Sequence, residues 1–242
     1  MGNELHFKNA PIVEAILGIE TETLPPEFVE RFRELAVALN GAYPDLEPVH
    51  ISQFTLNAND ASSQVAKTQL CYRARSVDGK QVVQFRTNGF AYSRLEPYTS
   101  WPEFSSEARR LWEEYKSVVV EPKVTTLALR YINKFFLPIG PDLESYLRVY
   151  PYFPQDFPVK VANYFFRMEI ELDKPTGRLI MQQATLPPEK EGKVTLVVDN
   201  DFRFPSNNLD DGLIWSIFEE SRQLKNDVFL RIITDRTKDL IS

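Results

Sequence analysis

Two sets of strand-like runs, each closed by a long amphipathic helix, constrain this chain more than any other feature of its sequence. The clearest run is NYFFRMEIELD (Asn163–Asp173). Tyr164, Phe166, Met168, Ile170 and Leu172 fall on one side, and Phe165, Arg167, Glu169 and Glu171 on the other. A period of two predicts a strand with one side in a core and the other in water, as an antiparallel sheet covered on one face provides.

The same signal recurs along the chain. PIVEAILGIET (Pro11–Thr21) reads as a strand, and a helix follows with Phe28, Phe32, Leu35 and Leu39 as its stripe, entered at Pro25 and Pro26. Strands are expected over Val49–Asn57, over Val65–Ser76 and from Val82 onward, the last two joined by Asp78-Gly79 as a hairpin. Ser100 caps the next helix, whose apolar side is Phe104, Ala108, Leu111 and Tyr115. The pattern then restarts with a long strand over Val124–Pro138 and a short helix over Asp142–Tyr150. Strands over Asn163–Asp173, Gly177–Pro187 and Lys193–Phe204 come next. A final helix carries Ile214, Ile217, Phe218, Leu224, Val228 and Ile232, with Asn207, Asn208 and Asp210 as cap candidates.

The order is therefore βαβββα twice over. The expected architecture is α+β: one domain spanning 1–242, with halves 1–120 and 121–242 as an internal pseudo-repeat. Together they form a curved, mainly antiparallel sheet with the long helices on one face. The 242 residues suffice to bury a substantial core.

Such a sheet collects its polar side chains on the uncovered face. VVQFRTNGFAYSRLEPYTSW (Val82–Trp101), read as one strand entering a turn, places Arg86, Asn88, Tyr92 and Arg94 on a single period-2 side. Arg130, Asn133 and Arg167 join them from later strands, beside Arg73, Arg75, Glu169 and Gln182. Arginine offers planar, multidentate donors that suit carboxylate or phosphate. The candidate ligand-binding set is thus Arg86, Asn88, Tyr92, Arg94, Arg130, Asn133 and Arg167, with an anionic small molecule or a protein as partner. The plainer alternative is that these arginines pair with carboxylates across neighbouring strands.

Several chemistries lack their residues. The sequence has no GxxxxGK[ST], no GxGxxG and no GxSxG, and its two histidines, His6 and His50, are far apart. No cofactor or metal site and no catalytic residue are assigned on this basis. Among carboxylates, Asp199 and Asp201, with Asn200 between them, and the Glu169/Glu171 pair are the candidates for a metal-assisted enzyme. Asp-Asn-Asp is equally ordinary turn chemistry. The net charge of −6 argues against nucleic acid, although Tyr92 and Tyr131 among strand arginines would suit base stacking. The single cysteine, Cys71, fits a reducing compartment, and neither a secretory leader nor a membrane-spanning run is present, so a cytoplasmic, non-membrane protein is expected. Assembly into a homo-oligomer is left open.

Four stretches carry a family resemblance: APIVEAILGI (Ala10–Ile19), FAYSRLEPYTSWPEF (Phe90–Phe104), LALRYINKFFLP (Leu127–Pro138) and the closing LDDGLIWSIFEES with IITD (Leu209–Asp235). In this order, over nearly the whole chain, they resemble a family of uncharacterised, sporadically distributed bacterial proteins of about this length. The resemblance implies a standalone cytoplasmic protein and no particular activity. Its motifs mark Tyr92, Arg94, Tyr98, Trp101, Arg130, Tyr131 and Asn133.

Overall fold

A computed structural model gives the chain's three-dimensional structure and describes residues 7–57, 62–138, 142–152, 154, 163–206 and 209–242. Nine strands form one open sheet in which every neighbouring pair is antiparallel. In chain order these are β1 (Ile12–Thr21), β2 (Asp45–Asn57), β3 (Ser62–Arg75), β4 (Gln81–Arg86), β5 (Gly89–Leu95), β6 (Val124–Pro138), β7 (Phe165–Asp173), β8 (Thr176–Leu186) and β9 (Lys193–Pro205). Across the sheet they run β2-β3-β4-β5-β1-β6-β9-β8-β7. The chain starts each half on a central strand and brings the last strand of that half back beside it, β5 against β1 and β9 against β6. The α+β class, the antiparallel sheet and its helical cover are as the alternation predicts.

Helices α1 (Phe28–Ala38), α2 (Trp101–Val118) and α3 (Asp211–Ile232) bury their apolar stripes on one face of the sheet. The first two meet in an aromatic cluster. Phe32 of α1 stacks on Tyr115 of α2 at 5.2 Å between centroids, and Phe85 and Phe90 from β4 and β5 pack around them. Each of these rings is almost fully removed from water, and burial of such a ring contributes about 2–3 kcal/mol.

Three expectations are corrected. Asp142–Tyr150 is not a helix; only Leu143–Ser145 makes a 3-10 turn, and Leu147 instead bridges to Ile233. The closing helix is two helices. α3 ends at Ile232, and Thr234 caps a separate α4 (Asp235–Ile241) by accepting from the Thr237 amide. Thr234 also donates to the Ser145 carbonyl, so the break is tied to the 3-10 turn. The run from Val82 to Trp101 is two strands, because Thr87 and Asn88 form a tight turn between β4 and β5.

Helix starts follow the sequence more closely. Ser100 accepts from the Glu103 amide, and Asp210 from the Leu213 amide at 3.0 Å. Asn207 and Asn208 lie outside the described residues. Asp210→Ala removes one capping bond and the favourable charge at the helix start, so it should lower unfolding stability by about 1 kcal/mol in a urea titration with an unchanged m-value. No helix is long and apolar enough to cross a membrane among the described residues.

Candidate functional site

The two-residue turn at Thr87–Asn88 divides the expected site residues between opposite faces of the sheet. Before the turn, Gln84 and Arg86 point to the face without helices. After it, Phe90, Tyr92 and Arg94 point to the helix side, where Tyr92 Oη donates to Gln81 and packs on Phe104 of α2. The expected single face of Arg86, Asn88, Tyr92 and Arg94 does not form. A two-residue hairpin inverts the odd–even relation between the strands it joins. Asn88 sits in the turn itself, its Oδ1 buried and without a partner among the described residues. Asn133 also falls on the helix side, buried, with its amide donating to the Val198 carbonyl.

Arg86, Arg130 and Arg167 do share the open face, but they do not converge. Six inter-strand steps of about 4.8 Å separate β4 from β7, so Arg86 and Arg167 stand roughly 29 Å apart. Their donors are also engaged. Arg130 grips Asp199 with two bonds of 2.8 and 2.6 Å, Arg86 holds Gln84 Oε1, and Arg167 holds Glu169. Arg203 pairs with Glu20 and Asp201, and Arg73 with Glu47. Arg130–Asp199 and Arg73–Glu47 pair across neighbouring strands, whereas Arg86 and Arg167 hold partners two residues away on their own strands. Asp199 and Asp201 lie on this face with Asn200 on the other, so the three oxygens do not surround one point. Among the described residues no three of His, Cys, Asp and Glu group as metal ligands.

The helix side holds a cavity of about 560 Å³. Its floor is β6 and β9, through Tyr131, Asn133 and Asn200. Its roof is α3, through Arg222, Lys225 and Phe229. The segment entering β1 and the loop from β5 into α2 close the sides, with Phe7, Pro11, Pro97, Tyr98 and Trp101. Local structure sets each wall. A β-bulge between Ile12 and Glu14 bends the start of β1 beside Asn133. Trp101 opens α2 and donates its indole N–H to Glu219 of α3 at 2.6 Å, joining loop to roof.

Lys225 is the unusual group. Its Nζ lies 4.0 Å from the centroid of the Tyr131 ring, and no carboxylate pairs with it among the described residues. Burial, reinforced by the neighbouring Arg222 cation, pulls its pKa down to about 7. An aromatic face returns only part of the hydration an ammonium loses, so burial outweighs the cation–π contact. On the floor, Asn200 is buried and its Oδ1 has no partner among the described residues. The Tyr98 and Tyr131 hydroxyls are 3.4 Å apart, and burial holds Tyr131 well above the usual phenol range, so it stays protonated. The wall is cationic in an acidic protein: Lys8, Lys80, Arg222 and Lys225 line it against one carboxylate, Glu96.

A smaller cavity of about 240 Å³ adjoins at Thr99, which lines both. Here Tyr43 reaches Gln81 and Glu107 at 2.9 and 2.8 Å. Arg94, its Nε buried and without a partner among the described residues, approaches Asp78 at 3.9 Å. Tyr92 and Arg94 thus belong to this second space.

No family model matches the chain, and neither a curated protein nor a solved structure matches it.

Proposed function

We propose that this is a cytoplasmic binding protein whose ligand is a small amphipathic organic anion, held between α3 and the β6–β9 floor. Lys225 carries the proposal: a half-buried lysine, its amine desolvated over the Tyr131 ring, stands at a cavity with no acidic partner among the described residues, at a cost in stability that an incoming anion would offset. Around it stand polar groups that fix orientation and apolar walls that accept a carbon skeleton, the usual composition of a small-molecule site. The anion reading suits the arginines of the open face less well, because their donors already hold protein acceptors. The resemblance to a sporadically distributed bacterial family adds no activity.

The test is calorimetric titration with benzoate, octanoate and phenyl phosphate, together with native mass spectrometry for a copurifying molecule. At least one probe should bind with unit stoichiometry, and Lys225→Met should weaken it by about tenfold or more, the effect of losing one charge-assisted hydrogen bond. Arg130→Gln, on the opposite face, should leave that affinity unchanged. Binding that follows Arg130 and ignores Lys225 would move the site to the open face.

A further inference from the structure

We infer that Lys225 captures carbonyl compounds, joining an aldehyde or ketone that carries an anionic group as a reversible imine in the α3 cavity. The inference rests on the anion site just proposed and names its ligand class. Three features of the geometry carry it. The amine stands at a cavity large enough for a ligand of roughly benzoate size. Among the described residues no carboxylate ties the amine up or holds it as an ammonium. A phenol pair, Tyr98 and Tyr131, belongs to the same lining, and Tyr131 lies against the amine through its ring.

An unprotonated amine is the nucleophile in this chemistry, and desolvation makes that form accessible near neutral pH. The amine lone pair forms the C–N bond while the carbonyl π pair moves to oxygen, which takes up a proton to give a carbinolamine. That hydroxyl then accepts a second proton and leaves as water. The nitrogen gives up its two protons, and the C=N bond closes. The balance is amine plus carbonyl going to imine plus water, with no oxidant or reductant. The protons are exchanged with water, and the phenol pair donates a hydrogen bond to the carbonyl oxygen; burial keeps Tyr131 from ionising, so it orients that oxygen and is not the proton source. Asn200 Oδ1 is placed to accept from an N–H or O–H that the bound molecule brings. Lys80 supplies positive charge for the ligand's anionic group, and Arg222, which holds Glu219 at 2.9 Å, adds to the cationic field of the wall.

The experiment uses the full chain, para-formylbenzoate as probe and cyanoborohydride to trap the imine, read by intact mass and peptide mapping at about neutral pH. The expected result is one adduct per chain on Lys225, formed at least tenfold faster than on other lysines. Lys225→Arg should lose that adduct, while Lys123→Arg, at an exposed lysine remote from the cavity, keeps it. Mapping of the unmodified sequence stands even if Lys225→Arg folds poorly. Labelling spread over surface lysines, or absent from Lys225, overturns the inference. If benzoate or octanoate still binds with Lys225 unlabelled, only imine capture falls. If neither binds and no adduct forms, the anion site falls with it.

Discussion

Lys225→Met should stabilise the protein while removing its ligand. Methionine keeps the length of the stem and deletes a charge that has no counter-ion among the described residues. The sign follows from proton linkage. A lysine in the unfolded chain has a pKa of about 10.4, and burial lowers Lys225 to about 7 in the fold. Between those values the unfolded state binds more protons, so the contribution of Lys225 to stability rises with pH and levels off above the upper one. Below the lower value the folded chain bears the full cost of the desolvated ammonium. The groups facing the amine in the cavity wall are Arg222, Lys8, Lys80, Glu96, Tyr98 and Tyr131. Only Glu96 among them is acidic, so nothing in that wall reverses the sign. At about pH 6 the variant should melt roughly 4 °C or more above wild type, the scale of a change exceeding about 1 kcal/mol in a chain of this size. The gap should close toward about pH 10, where the lysine is neutral in both states. A variant that melts lower at the acidic end, or by the same amount at both, would show that Lys225 is a structural contact.

The architecture was legible because most of it is periodicity. Strands with one covered face must alternate; Phe165–Asp173 does so throughout and Val124–Pro138 from Leu127 onward. The site was less legible for two separate reasons. The turn between β4 and β5 occupies only Thr87 and Asn88, so apolar residues resume at Phe90 as though one strand continued. Asn88-Gly89 was the available signal, since a glycine after asparagine supplies the backbone freedom that a tight hairpin demands. Once the turn is placed, Tyr92 and Arg94 move to the helix side and the Arg-rich site loses its unity. The cavity groups come from remote segments. Asn200 lies in a strand run that reads as turn or metal chemistry, and Arg222 and Lys225 lie in a helix that reads as an ordinary amphipathic one. Yet Ile214, Phe218, Ser221, Lys225, Phe229 and Ile232 follow helical spacings of three and four, so Lys225, half-buried, lies on the sheet-facing stripe. Taking Leu224 as the stripe residue conceals this. A lysine on a buried stripe is the one signal in the sequence that points to the cavity.

Gly89 is where the hairpin that sorts these faces is most easily broken, and Gly89→Ala should be among the most damaging single substitutions in the chain. Its φ is +136°, a region that side chains oppose, and a Cβ there would lie 2.3 Å from the Ile19 carbonyl oxygen and 2.8 Å from the Glu20 Cα. Both atoms are backbone of β1, which is paired on both sides, to β5 and to β6, so relief would require moving the centre of the sheet. Strain and displaced pairing together should remove about 3 kcal/mol or more of stability in chemical denaturation. Gly41→Ala is the control, because among the described residues no atom beyond its chain neighbours lies within 4 Å of the added methyl group. It should change stability by no more than about 0.5 kcal/mol, as expected for a free surface position. Gly89→Ala should also weaken octanoate binding, since β5 leads directly into the Tyr98–Trp101 wall of the cavity. If it instead matches Gly41→Ala in both measurements, β1 does not pass against this turn, and the division of Arg86 from Tyr92 and Arg94 between the two faces fails with it.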